Sequence, residues 1–272
     1  MSTTAKLPPR AAWMRSGSLP SVVGHRGAMG VRPENTLCAF EHAAVLGAEW
    51  IELDVHLTKD GVPMVLHDAS LERTTNGRGN VRAQRAAALA KLDAGSFFGT
   101  AFANERVPRL DETLGWAKQR GIKVEIEMKG EPHVPDDLPA AVLATVARTG
   151  MSKDVLLISF DHHAVKRSKE LEPSVRTGVL YVARPVDELS LAKKAKADVL
   201  IPHASFVTAE SVAAAHGAGL GMATWAASDP ALLRALVGTD VDAITVDHPD
   251  VLRKILAVGT RKARTRPKGV DR

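Results

Sequence analysis

Residues 51–68 read IELDVHLTKDGVPMVLHD, and the way this stretch pairs with itself decides the architecture. Alternate residues of a strand share a face. Ile51, Leu53 and Val55 therefore point one way, and Glu52, Asp54 and His56 the other. Only HLTKDGV separates Val55 from Pro63, and Lys59-Asp60-Gly61 is turn chemistry. A parallel crossover needs roughly a dozen residues or more. Pro63–His67 is therefore expected as an antiparallel return arm, which brings His67 back beside Glu52 and Asp54.

Working outward, short apolar runs alternate with helical patterns. Expected strands are Ser21–His25, Trp50–Val55, Pro63–His67, Lys123–Met128, Asp154–Phe160, Val175–Tyr181, Asp198–Pro202, Gly221–Trp225 and Asp242–Val246. Expected helices are Glu34–Leu46, Leu110–Arg120, Leu138–Arg148, Asp161–Leu171, Val186–Ala195, Thr208–His216, Pro230–Val237 and Pro249–Ala257. Alternation of this kind means a parallel sheet with crossover helices. Setting the return arm aside as a rim hairpin leaves an eight-stranded α/β barrel, the (β/α)8 or TIM-barrel class, and 272 residues suit one such domain. Residues 69–109 show no strong period and hold RTTNGRGN and LDAGSFFG, so they read as an insertion after the hairpin. The expected organisation is a flexible N-terminal extension (1–20), one barrel domain (21–258) and a disordered basic tail (259–272).

Composition, 45% hydrophobic and 25% charged, is that of a soluble globular protein. Cys38 is the only cysteine, which rules out an internal disulfide and suits a reducing compartment. No apolar run suggests a signal peptide or an integral membrane span, so a cytoplasmic location is expected. The net charge of +5 is concentrated at the ends. Residues 259–272 carry six Lys or Arg against one Asp, and residues 1–20 carry Lys6, Arg10 and Arg15, which leaves the body at −3. A mildly acidic body argues against nucleic acid as the main ligand. The tail reads as a solvated end rather than an anchor for an anionic surface. The sequence is silent on oligomeric state.

A second strand carries charge on one face. In KVEIEMK, Lys123 to Lys129, the residues Val124, Ile126 and Met128 oppose Glu125, Glu127 and Lys129. Helices cover the outside of a barrel, so the charged face must point inward. Buried carboxylates need compensation. Glu52, Asp54 and Glu127 suit a hard divalent cation, Mg2+ or Ca2+. The competing reading is a buried ion-pair network of Glu125, Glu127, Lys129 and Lys123, and Glu125, one layer deeper, is assigned there.

Most of the ten histidines read as ordinary: His42, His162, His163 and His216 fall on helices and His133 in a polar loop. His25 and His67 each close a strand, on the face where barrel enzymes place their chemistry. Beside a carboxylate cluster they read as an acid–base pair. His56 shares the face of Glu52 and Asp54 but should ride up the hairpin, and His203 and His248 are weaker candidates. Arg26 offers a planar fork for phosphate and Lys129 a second cation. A cation, an Arg, a Lys and two His make a phosphodiester site in chemical terms.

Taken together, HRG (25–27), PENT (33–36), ELDV with TKDG (52–61), LHD (66–68), RTTNGRG and EIEMK (125–129) resemble the glycerophosphodiester phosphodiesterases. WAAS (225–228) and ITVDHPD (244–250) stand where that family has WTVN-like and ITDxP-like runs. The resemblance implies hydrolysis of a small-molecule glycerophosphodiester, such as glycerophosphocholine or glycerophosphoethanolamine, to glycerol 3-phosphate and an alcohol. It implies metal ligation by Glu52, Asp54 and Glu127, acid–base roles for His25 and His67, and phosphate contacts from Arg26 and Lys129. It further implies that Glu34 orients Arg26 or touches substrate, and that Trp225 stacks on the glycerol or the alcohol, against a helix start and core packing as their bland readings. The departures are WAAS for WTVN and Glu125 where Asn is common; they bear on substrate preference more than on the reaction. Two alternatives stand beside this one: a lysophospholipase D-like activity on a lipid, and a non-catalytic phosphodiester-binding barrel.

Overall fold

The computed structural model describes residues 13–15, 17–130 and 137–265. Eight parallel strands close on themselves: β1 (Ser21–Gly24), β2 (Trp50–Leu57), β4 (Lys123–Met128), β5 (Val155–Ser159), β6 (Arg176–Tyr181), β7 (Val199–Pro202), β8 (Gly221–Thr224) and β9 (Ala243–Val246). Pairing of β1 with both β9 and β2 shuts the ring. The ninth strand, β3 (Pro63–Val65), runs antiparallel on β2, with Val55 opposite Val65 and Leu57 opposite Pro63. The short Lys59–Gly61 turn, with Gly61 at a left-handed φ of 73°, makes the hairpin that the spacing requires.

Helices α1 (Leu37–Val45), α3 (Leu110–Arg120), α4 (Leu138–Thr149), α5 (His162–Leu171), α6 (Leu189–Ala195), α7 (Ala209–Gly217), α8 (Pro230–Val237) and α9 (Pro249–Thr265) follow the barrel strands. Their starts are set by local chemistry. Thr36, Asp137, Asp161, Thr208 and Asp229 each accept a hydrogen bond from a first-turn backbone N–H. The short α2 (Ala86–Leu89) lies in the 69–109 insertion, which has its own small core of Met64, Leu71, Val81, Leu89 and Val107.

Side chains alternate as the pleat demands. Ile51, Leu53, Val55, Val124, Ile126 and Met128 face outward into the layer beneath the helices. Trp50, Leu156, Ile158, Leu180, Val199 and Ile201 point into the barrel and belong to one cluster with Met14. The polar members of the inward set, Glu52, Asp54, Glu125 and Glu127, occupy the upper barrel and are all buried.

Three expectations need correction. Trp13 to Pro20 is not a loose extension over its described part: Met14 is fully buried and Trp13 packs on Trp50 at 5.8 Å, while residues 1–12 and 16 lie outside the described residues. Apolar Trp13 and Met14 close the open floor of the barrel, and Lys123 serves that floor by donating to the Trp13 carbonyl (2.8 Å). Next, α1 begins at Leu37, not Glu34, because Thr36 caps it and Asn35 takes a left-handed φ of 58°. Last, α9 continues to Thr265, into the segment expected to be a disordered tail; residues 266–272 are outside the described set, as is His133.

Candidate active site

The loop after β1 is built to turn inward. Arg26 holds a left-handed φ of 47° and Gly27 one of 85°. A Cβ at Gly27 would lie 2.6 Å from the Ala39 backbone carbon, so only glycine lets the loop pack on α1. The Arg26 N–H donates to Glu52 Oε2 (2.9 Å), and its Nη1 donates to Glu34 Oε1 (2.8 Å). Its Nε lies 3.3 Å from Asp54 Oδ2. His25, immediately before it, sets Nδ1 at 2.7 Å from Asp247 Oδ1, and Ser228 Oγ donates to the other Asp247 oxygen at 2.8 Å.

Strand register delivers the carboxylates in two levels. Asp54 on β2 lies opposite Glu127 on β4, and Glu52 lies opposite Glu125 one level below. One oxygen each from Glu52, Asp54 and Glu127 lies within 4.8 Å of the others. Lys129 Nζ lies 2.6 Å from Glu127 and 3.1 Å from Asp54. Asn35 Nδ2 donates to Asp54 Oδ2 at 2.7 Å.

The hairpin brings in the second histidine. Leu66 N–H donates to the Asp54 carbonyl (3.0 Å), which anchors the return arm. His67 Nδ1 donates to Asp68 Oδ1 at 2.6 Å. Arg73, from the insertion, donates through Nε to Asp68 (2.6 Å) and through both Nη atoms to Glu34 (2.8 and 2.9 Å). His56 turns away, its Nε2 donating to the His67 carbonyl at 2.9 Å.

A small cavity inside the ring is lined by His25, Glu52, Glu125, Glu127, Trp225 and Thr245, among others. Trp225 meets Phe160 edge-on at 5.1 Å and His203 at 5.2 Å, and its buried Nε1 has no hydrogen-bond partner among the described residues. A larger surface cleft along α6, lined by Leu189, Lys193, Ala197 and Leu220, opens beside the N-terminal ends of β7 and β8, away from the carboxylates.

Residues 25–251 match the model of the glycerophosphoryl diester phosphodiesterase family. The chain belongs to this family. A glycerophosphodiester phosphodiesterase of Caldanaerobacter subterraneus is 32% identical over 238 residues, covering 88% of this chain and 98% of the relative. Among solved structures, an Oleispira antarctica phosphodiesterase in complex with the product sn-glycerol-3-phosphate is 29% identical, with a TM-score of 0.79, over 88% of this chain and 97% of that one. A glycerophosphodiester phosphodiesterase from Agrobacterium tumefaciens is 32% identical, with a TM-score of 0.76, over 87% of this chain and 100% of that one.

The charges of this cluster, at the C-terminal ends of the barrel strands, are strongly perturbed. Burial first, then Asp54, pushes the Glu127 carboxyl up to about 7. Burial, Asp54 and Glu127 hold Glu52 well above the usual carboxylate range. Burial opposes the Asp54 charge, but Lys129 and Arg26 outweigh it and hold that carboxyl far below its ordinary value. Three crowded acids, two of them reluctant to ionise, could hold a hard divalent cation. The expected ion-pair network exists only in part, because Lys129 serves Asp54 and Glu127 while Lys123 points to the floor. Burial, with Lys129 and Arg26, lowers the His67 pKa against the pull of Asp54 and Asp68.

Of the named site residues, Glu34, Glu52, Asp54, Glu127, Arg26, Lys129 and His67 are tied by hydrogen bonds or ion pairs into this network, His25 is held separately by Asp247, and Trp225 borders the cavity. Glu34 lies outside α1, buried between Arg26 and Arg73, and is no mere helix start. His248 packs against Gly30, and His203 contacts the aromatic wall. Sequence reasoning gave no role to Asn35, Asp68, Arg73, Asp247 or Ser228. All five lie inside the quoted motifs, and Asp68 directly follows His67, so the signal was adjacency.

Among the described residues, no helix is long and apolar enough to cross a membrane.

Proposed function

We propose that this enzyme hydrolyses glycerophosphodiesters, glycerophosphocholine and glycerophosphoethanolamine among them, to glycerol 3-phosphate and an alcohol. Glu52, Asp54 and Glu127 hold a divalent cation, Mg2+ or Ca2+, and His25 and His67 move the protons. The observation that carries this reading is the matched fixing of the two histidines. Each spends Nδ1 on an aspartate, at 2.7 Å for His25–Asp247 and 2.6 Å for His67–Asp68. That choice leaves Nε2 of each ring as the atom that exchanges a proton.

The cation, when bound, supplies positive charge to the phosphate's non-bridging oxygens. Arg26 and Lys129 bring two further cations to the same spot, both held charged by the neighbouring carboxylates against the cost of burial. Glu34 orients the Arg26 guanidinium through Nη1. One histidine takes the proton from the attacking oxygen, which is either water, giving glycerol 3-phosphate directly, or the glycerol 2-hydroxyl, giving a cyclic phosphate that water then opens to glycerol 3-phosphate. The other gives a proton to the departing alcohol oxygen. The Trp225 ring, braced edge-on by Phe160, offers an apolar face to the glycerol or the alcohol.

The test is release of glycerol 3-phosphate from both substrates with Mg2+, with Ca2+ and after EDTA. The reading expects release with a cation and loss of at least about a hundredfold after chelation. Release undiminished by EDTA would remove the cation from the mechanism. No release from folded protein under any condition would reject these substrates.

A further inference from the structure

One carboxylate inside the barrel has no hydrogen-bond or ion-pair partner among the described residues. Glu125 is 1% exposed, it lines the cavity with Glu52 and Glu127, and its Oε1 accepts no hydrogen bond. The two cations above are committed elsewhere: Arg26 to Glu34 and Asp54, Lys129 to Asp54 and Glu127. Lys123, on the same strand, reaches the floor instead.

The register makes this acid more than a stray charge. Glu52 and Glu125 stand opposite each other on adjacent strands, with Asp54 and Glu127 opposite each other one level above. The four acids form a two-by-two block. Glu52 spans the level difference, since its oxygen joins those of Asp54 and Glu127 within 4.8 Å. Glu125 has a side chain of the same length, at the same level, on the neighbouring strand.

We infer that Glu125 is a fourth carboxylate of the cation site, approaching from the layer beneath, and that it biases the site toward Ca2+ over Mg2+. The inference rests on the cation reading given above. Ca2+ accepts about six to eight oxygens in flexible geometry, whereas Mg2+ keeps near-octahedral geometry and several waters. An added protein carboxylate from a second level serves the larger ion. It would crowd the smaller one or leave it unaffected.

Isothermal titration of chelator-stripped, full-length protein with CaCl2 and with MgCl2 tests this without any assay of turnover. The wild type should bind Ca2+ more tightly than Mg2+. Glu125→Gln should lose about 10- to 100-fold in Ca2+ affinity and only about threefold or less in Mg2+ affinity. Glu125→Asn, with a shorter amide, should do the same, and circular dichroism checks that both variants fold. Unchanged Ca2+ affinity in either folded variant would overturn the inference and leave Glu125 a neutral spectator. Equal losses for both ions would overturn the selectivity. If the wild type binds neither ion, the cation reading itself fails, and this inference with it.

Discussion

Asn35 and Asp54 grip each other twice: Asn35 Nδ2 donates to Asp54 Oδ2 at 2.7 Å, and the Asp54 N–H donates to Asn35 Oδ1 at 3.3 Å. The pair fixes which way one candidate cation ligand points. It also explains why asparagine stands at 35, a left-handed position that asparagine tolerates better than most residues. Asn35→Ala should lower cation affinity about 10- to 100-fold. It should also cost about 1–3 kcal/mol of stability from the lost partner of a buried carboxylate. Titration calorimetry and thermal melts measure the two effects, and an unchanged cation affinity would deny Asn35 its orienting role.

Asp68 raises the His67 pKa through its hydrogen bond, against the burial that lowers it. Asp68→Asn removes that support, so the His67 pKa falls further. In a bell-shaped profile of kcat/KM, the limb belonging to His67 should move to lower pH while the other stays in place. Movement of the acidic limb makes His67 the base; movement of the alkaline limb makes it the acid. If neither limb moves, His67 does not titrate in the reaction.

Metal-free stability should depend on pH in a defined direction. Glu127 and Glu125 have carboxyls raised to about 7 and about 8 from the ordinary 4.5. Between those values the folded chain binds more protons than the unfolded one, so stability falls as pH rises across that window. Asp54 works oppositely, and its contribution is lost only in acid. In EDTA, Tm should therefore drop from about pH 5 to about pH 8, and added Ca2+ should raise Tm more at the higher pH. A Ca2+ effect independent of pH would contradict the picture of crowded, reluctant acids.

Met14 tests the floor. It is fully buried among Val23, Trp50 and Leu156 at the end of the barrel opposite the chemistry. Met14→Ala should cost about 2–5 kcal/mol of unfolding free energy, with kcat/KM unchanged at a temperature where the variant is folded. Denaturant unfolding reads the first and steady-state kinetics the second.

Much of this architecture is legible in the sequence because each strand states its own face. Glu52, Asp54 and Glu127 could be placed inside the barrel by parity alone, and the length of HLTKDGV was enough to reverse β3. What stayed hidden depends on contacts between distant segments. Nothing local in AAWMRSGS says that Trp13 and Met14 fold under the barrel, since an apolar plug has no period. The Glu34–Arg26 pair was expected from the resemblance, but the second partner, Arg73, lies 39 positions away and was not. Asp247 pairs with His25 across 222 positions through the closure of β1 on β9, which spacing cannot reveal.

The two-histidine assignment is best tested with a pair of leaving groups. His25→Ala and His67→Ala should each lower kcat on glycerophosphocholine by at least about a thousandfold while remaining folded. On the p-nitrophenyl ester of glycerol 3-phosphate, whose leaving group departs without a proton, the variant lacking the acid should recover most of its rate. The variant lacking the base should not. Near-normal turnover of glycerophosphocholine by either alanine variant, or equal recovery of both, would contradict a division of labour between His25 and His67.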